Sequence, residues 1–155
     1  SLLISSDGEK YSPEGIEEAL VEKSKYIDQV MLYNNQSAYT TALIVPNREA
    51  LKRKLSHLNL TLDTEEGRKA AVKKLEEELA KYKKGGEFEG MFPERWLPTT
   101  FAVLAEPFTE QNQMINSTMK MVRGKIEKAY AARIDYMYTA EGKQTQNQQN
   151  LDALK

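Results

Sequence analysis

The stretch Met114-Ile115-Asn116-Ser117-Thr118-Met119-Lys120-Met121-Val122-Arg123 is the part of this chain that reads as more than scaffold. A polar loop over 108–117 arrives after a strand, and Ser117 or Thr118 is placed to cap a helix predicted over 118–138. Lys120 then falls in the first helical turn, where the helix dipole favours anions rather than cations. A residue set against its local electrostatics is a reason to suspect function, here a fixed positive charge offered to an anion. Other candidates read more simply. Glu17-Glu18 and Glu76-Glu77-Glu78 could serve as acid/base pairs, but helical neighbours point to different sides, and a solvated helix face is the expected role. Gly8-Glu9-Lys10 lacks the upstream glycine and the Lys-Ser/Thr pair of a phosphate loop. His57 has no partner signalled nearby and reads as a surface or half-buried structural residue. Lys81, Lys83 and Lys84 beside Tyr82 suit a helix C-terminus, where cations meet the negative end of the dipole, better than a nucleic-acid patch.

These residues must be held by a small set of predicted elements. Leu2–Ser5 is a short apolar strand, Ser6-Asp7-Gly8 a turn that suits a positive φ at Gly8, and Glu9–Tyr11 a strand pairing back. Ser12 as N-cap and Pro13 at the first helical position start a helix with Ile16, Ala19 and Leu20 on its apolar stripe. Strands follow over 26–33 and 39–45, joined by the turn Asn34-Asn35-Gln36-Ser37. Pro46-Asn47 then opens a helix bearing Ala50, Leu51, Leu55 and Leu58. A long helix over 64–84 shows Val72, Leu75, Leu79 and Tyr82 on a single seam, and Gly85-Gly86 stops it. Residues 88–98 read as an ordered aromatic loop, 99–105 as a third clear strand, and 141–155 as a polar tail, with a short helix near Leu151–Leu154. The fold class is therefore α+β: about five short strands in small antiparallel sheets, flanked by helices, with an added long helix in the middle.

A chain of 155 residues is long enough for one domain with its own core. The absence of cysteine excludes disulfides and thiolate zinc, fits a reducing compartment, and, with His57 the only histidine, excludes a histidine-rich metal site. No apolar run approaches the roughly 18 residues of a membrane span. The charges nearly cancel, 22 basic against 23 acidic, but they are zoned. Residues 48–84 carry 11 basic and 7 acidic side chains and residues 119–155 carry 7 and 4, whereas 1–47 and 85–118 are acidic. Without an overall basic excess a nucleic-acid backbone is not favoured, and small anionic ligands are. The start at Ser1, directly followed by the strand-like Leu2-Leu3-Ile4, is what a piece of a larger protein would show.

Two segments together resemble adenylate-forming enzymes. Ser5-Ser6-Asp7-Gly8-Glu9-Lys10-Tyr11-Ser12-Pro13-Glu14-Gly15-Ile16-Glu17 looks like the segment just past the hinge between their two domains. Phe108-Thr109-Glu110-Gln111-Asn112 followed by Ile115 to Arg123 resembles the closing motif of the long-chain fatty-acid–CoA ligase branch, with its Thr-x-Lys-x-x-Arg core. The strands at Tyr26–Leu32 and Ala42–Pro46 are also similar, so that the match covers about 1–58 and 99–138.

The resemblance implies a mobile C-terminal cap domain over 1–140, with 61–98 an insertion within it, acting beside a larger N-terminal domain of the same chain. Such enzymes use ATP to turn a fatty acid into an acyl-adenylate, then pass the acyl group to coenzyme A. Magnesium is expected with ATP, held by the larger domain. Lys120 matches the family lysine that contacts the carboxylate and α-phosphate oxygens in the first step, an electrostatic role that needs an ordinary protonated lysine. Gly8 matches the glycine that faces the pantetheine tunnel in the second step, and Lys10 a nearby basic position suited to a phosphate. A cytoplasmic enzyme is implied, peripheral to a membrane at most. Gln113 stands where the family usually has a glycine or other turn-former, so a different loop shape is expected before Ile115, and the hinge residue would lie upstream of Ser1. The alternative from the residues alone is a non-catalytic α+β interaction module that docks a partner through its basic middle helix.

Overall fold

The computed structural model describes residues 1–155 and has six strands and six α-helices. Strands β1 (Leu3–Ser5), β2 (Lys10–Tyr11) and β4 (Asn35–Ser37) form one small sheet in the order β2-β1-β4. Strands β3 (Ile27–Tyr33), β5 (Thr41–Pro46) and β6 (Thr100–Val103) form the other, in the order β3-β5-β6. The expected α+β class holds, but the sheets are mixed rather than antiparallel. β1 pairs with β4, and β5 with β6, in parallel. The extra strand, β4, comes from residues expected to be only a turn, because β1 offers them a free edge.

β5 is buried along its whole length and divides the interior in two. Its alternating side chains point to opposite faces, as the pleat requires. Ala42 and Ile44 join the larger core, and Leu43 and Val45 the smaller. The larger core is covered by α1 (Glu14–Lys23), α2 (Arg48–Ser56), α3 (Glu65–Ala80) and α6 (Gln148–Ala153). The smaller lies under α4 (Arg123–Ala129), α5 (Ala131–Tyr136) and the loop that precedes them.

Side chains engage both edges of the β3-β5-β6 sheet, which leaves less free strand edge for another chain to pair with. On β3, Leu32 N–H donates to Glu17 Oε2 at 2.7 Å, and Gln29 exchanges two hydrogen bonds with the Phe108 backbone at 2.8 and 3.0 Å. On β6, Val103 N–H donates to Asn150 Oδ1 at 2.8 Å, and Asn150 Nδ2 donates to Phe101 O at 3.0 Å. The polar stretch after residue 140 is thus not a loose tail. Its amides cap α6 and pair with β6, while Leu151 and Leu154 enter the core.

α3 is equally integral, with Val72, Leu75, Leu79 and Tyr82 buried as its seam predicts. Glu78, expected on a solvated face, is only 2% exposed. It lies on the seam, three residues from Leu75 and four from Tyr82, and there it accepts a 2.7 Å bond from Ser24 Oγ. Lys81 and Lys74 hold its other oxygen at 3.2 and 3.4 Å. Burial raises the Glu78 carboxyl, but Ser24 and the two lysines outweigh it and hold the group below the usual carboxylate range.

A carboxyl whose folded-state pKa is lowered adds stability above its unfolded value and loses it as pH falls through the folded value. Glu78→Gln is therefore expected to cost about 1–2 kcal/mol at neutral pH, the scale of a charge-assisted bond between partly wet partners. It should also flatten the acid side of the Tm–pH curve. A curve parallel to wild type from neutrality to acid would show that this carboxylate is not the titrating support.

Candidate functional site

Lys120 lies outside any helix, a correction to the helix expected over 118–138. Asn116 captures the chain first. Its Oδ1 accepts hydrogen bonds from Thr118 N–H and Lys120 N–H, both at 3.0 Å, and from Thr118 Oγ1 at 2.7 Å. Met119 takes φ +65°, and Ile115 and Met121 pair as an antiparallel bridge, closing a tight hairpin that turns over 117–119, with Lys120 on the returning arm opposite Asn116. The helix begins only at Arg123, without a side-chain cap, and is broken at Tyr130 between α4 and α5. Ser117 and Thr118 cap nothing. Gln113 adopts φ +65°, the left-handed conformation that glycine takes most easily, so the loop turns there without one.

The electrostatic mismatch expected at Lys120 exists three residues later. Arg123 is the first residue of α4, and its guanidinium forks onto the Glu17 carboxylate, with Nη1 2.9 Å from Oε2 and Nη2 bonded to Oε1. Glu14 Oε2 lies 3.7 Å from Nη2. Glu17, expected in solvent, is buried and holds three elements at once: α1, the β3 edge through Leu32, and the start of α4. Burial pushes the Glu17 carboxyl up, against the pull of Arg123 and the Leu32 N–H. Desolvation lowers the Arg123 guanidinium, yet Glu17 brings it above its ordinary range. The two shifts pull opposite ways on the pair. The two-pronged contact and the extra backbone donor decide for carboxylate and guanidinium.

The signal for both buried acids was present in the sequence. Glu17 follows Pro13 by four residues and precedes Leu20 by three, so it shares their helix face. A charged residue on an apolar stripe needs a partner, and Arg123 supplies it.

An open cleft of about 1040 Å³ runs between α1, β3 and the 115–123 segment. The 115–123 segment contributes Lys120 and Arg123 to its lining, and α1 and β3 contribute Glu14, Glu17, Glu18, Glu22 and Asp28. Arg123 is paired, whereas the Lys120 ammonium makes no ion pair within the chain and is exposed. It can therefore meet an incoming anion without first breaking a contact.

Gly8 and Lys10 are elsewhere, in the β1–β2 hairpin, and do not line this cleft. Gly8 has φ +88°, and a Cβ there would meet nothing within 4 Å. Its N–H donates to Ser5 O at 3.0 Å, and Ser5 N–H donates to Glu9 O at 2.9 Å. Asp7 accepts from the Ser5 hydroxyl and from Glu9 N–H. Lys10 is exposed. Beneath the turn, Tyr11 Oη bonds Thr40 Oγ1, and its ring stacks on Trp96 at 5.3 Å. Arg95 adds a forked contact to Glu9 at 2.7 and 2.8 Å. The segment 61–98 thus reaches back to support the Gly8 turn. His57 is exposed at the end of α2, and no group of three or more His, Cys, Asp or Glu side chains is placed to hold a metal ion. No helix is long and apolar enough to cross a membrane.

Residues 1–84, a region that includes α3, match the family described as AMP-binding enzyme C-terminal domain. Long chain acyl-CoA synthetase 8 of Arabidopsis thaliana is 27% identical over 83% of this chain and 18% of its own length. A long-chain-fatty-acid–[acyl-carrier-protein] ligase of Arabidopsis thaliana, described as chloroplastic, is 26% identical over 88% of this chain and 16% of its own. Among solved structures, the A-PCP didomain of carboxylic acid reductase from Segniliparus rugosus in complex with AMP superposes with a TM-score of 0.68 at 25% identity. That superposition covers 88% of this chain and 17% of the other. The chain therefore spans less than a fifth of the length of these relatives.

Proposed function

Because the chain belongs to the family of AMP-binding enzyme C-terminal domains, we propose that it is the mobile cap of an ATP-dependent long-chain fatty-acid–CoA ligase. It would work with a larger domain that binds nucleotide and acyl chain. The observation that carries this reading is an unpaired, exposed lysine, Lys120, held on the returning arm of a side-chain-wired hairpin, directly beside its turn, and lining an open cleft.

In the first half-reaction a fatty-acid carboxylate oxygen attacks the α-phosphorus of ATP, forming the acyl-adenylate as pyrophosphate leaves. Along this path the carboxylate must approach a like-charged phosphate, and negative charge passes from it to the α-phosphate oxygens and the departing pyrophosphate. A pre-placed ammonium lowers that barrier by electrostatics alone, with no proton transferred. In the second half-reaction the thiolate of coenzyme A attacks the acyl carbonyl, and AMP leaves with the bonding pair. Gly8 would border the narrow passage for the thiol arm, and Lys10 would meet a phosphate nearby. That Gly8 and Lys120 lie on different parts of the surface favours a cap that turns between two steps. ATP, the fatty acid and coenzyme A are substrates here, and magnesium would travel with ATP on the larger domain. The reading carries a cytoplasmic location with it. A docking module built on the basic middle helix has no specific geometry in its favour, since α3 buries its seam in the core.

Two assays test this. The 155 residues alone are expected to release no pyrophosphate from ATP and a fatty acid, because ATP and acyl pockets are assigned to the other domain; release above background would overturn that assignment. The longer enzyme should form acyl-CoA from long-chain fatty acid, ATP and coenzyme A. Transfer only to an acyl-carrier protein, the acceptor in one relative's description, would keep the adenylation reading and replace the acceptor.

A further inference from the structure

We propose that Glu17 and Arg123 are positioning residues for Lys120: the buried pair pins the root of the Lys120 hairpin to α1 and to the edge of the central sheet. The inference rests on the adenylation role read for Lys120 and adds how that lysine is held in register.

Apart from this pair, the hairpin root is held by Met114, Ile115 and Met121 packed on the smaller core, and by backbone bonds within 109–122. These run from Val122 N–H to Met114 O at 2.8 Å and from Met114 and Ile115 N–H to Thr109 O at 3.1 and 3.2 Å. The pair is what ties the root to α1 and the β3 edge. Its internal bonds, from Asn116 and the Ile115–Met121 bridge, set its shape but not its direction. Residues 116–120 are all exposed. Ile115, Met121 and Val122 are only partly buried. Three residues after Lys120, Arg123 has 15% of its side chain exposed and Glu17 has 5%. A forked guanidinium–carboxylate contact restricts both angle and distance, which a single point charge does not. Glu17 is in turn immobilised by the Leu32 N–H on β3, an edge strand whose side chains enter both cores. The path from sheet to lysine is therefore short and stiff: Leu32, Glu17, Arg123 and then three residues of backbone. A misplacement of about 1 Å at a reacting centre costs on the order of a hundredfold in rate. Loosening this pin should thus be visible in the adenylation step while the thiol step, served by the Gly8 hairpin, is spared.

The test uses Glu17→Gln and Arg123→Lys in the longer enzyme, each alone and combined with Lys120→Ala. Arg123→Lys keeps the charge and loses the fork, so it remains informative if Glu17→Gln fails to fold. Each single variant is expected to slow adenylate formation roughly tenfold to a hundredfold. Thioester formation from supplied acyl-adenylate should be unchanged, and backbone amides of 115–121 should exchange faster with deuterium. In the Lys120→Ala background neither variant should slow adenylation further, because residues acting through one group are not additive. Losses that multiply with Lys120→Ala, or that fall equally on both half-reactions, would overturn the positioning role. So would unchanged rates and exchange. If Lys120→Ala itself leaves adenylation intact, the role of the lysine falls, while the exchange data still report whether the pair pins the hairpin.

Discussion

Lys120→Ala in the longer enzyme is expected to slow acyl-adenylate formation by roughly a hundredfold to a thousandfold, the scale of losing one pre-placed electrostatic group. Thioester formation from supplied acyl-adenylate should stay close to wild type. The reasons are local. Lys120 is exposed and has no ion-pair partner within the chain, so its removal breaks no buried contact. Its backbone N–H, not its side chain, holds the hairpin through Asn116, and alanine keeps that bond. The melting temperature should accordingly be unchanged, as for most surface substitutions. Lys120→Arg provides the control: it keeps the charge in a broader, planar form, and is expected to recover part of the rate and not all of it. Equal losses in both half-reactions, with a lowered melt, would make Lys120 a structural residue and remove it from the site.

What could be read in advance divides along physical lines. Periodicity located α1, α2 and α3 to within a few residues, because their apolar stripes are enforced by burial in one core. It failed from Thr118 to Val122, where helix propensity was not the deciding force. One asparagine side chain, satisfying two backbone N–H groups, was enough to turn the chain into a hairpin. It fails again after residue 140, where a run rich in Gln and Asn reads as solvent-facing by composition. Asn150 instead completes the edge of β6, a pairing made across almost fifty residues that no local pattern encodes. The parallel pairing of β1 with β4 is non-local in the same sense. For the site, residue types and resemblance point to Lys120, Gly8 and Lys10, but not to the buried pair behind Lys120. The charge of Glu17 points to solvent, while its place on the stripe of Ile16 and Leu20 points to the interior, and burial beside Arg123 decides for the second.

Gly8→Leu is expected to leave a longer enzyme that makes acyl-adenylate and pyrophosphate but little acyl-CoA, the complement of Lys120→Ala. The hairpin gives this prediction a sharp form. A Cβ at Gly8 meets nothing within 4 Å in this chain, so a leucine side chain would leave the turn into open space. A selective block of the second step would then have to arise from what covers the turn, either the thiol arm or the larger domain. The competing cause is backbone strain, since φ +88° is costly for any residue with a Cβ, by about 1–2 kcal/mol. Gly8→Ala separates the two, because it carries the same strain with almost none of the bulk. If the passage is narrow, alanine should melt like leucine but retain most thioester formation, while leucine loses it. Equal loss in the two variants would assign the effect to the bent turn, and full thioester activity with leucine in place would remove Gly8 from the path of the thiol. The support beneath the hairpin, from Tyr11 stacked on Trp96 and Arg95 forked onto Glu9, makes the strain local. Adenylate formation, which depends on the Lys120 hairpin on a different part of the surface, should therefore remain at the wild-type rate in both variants.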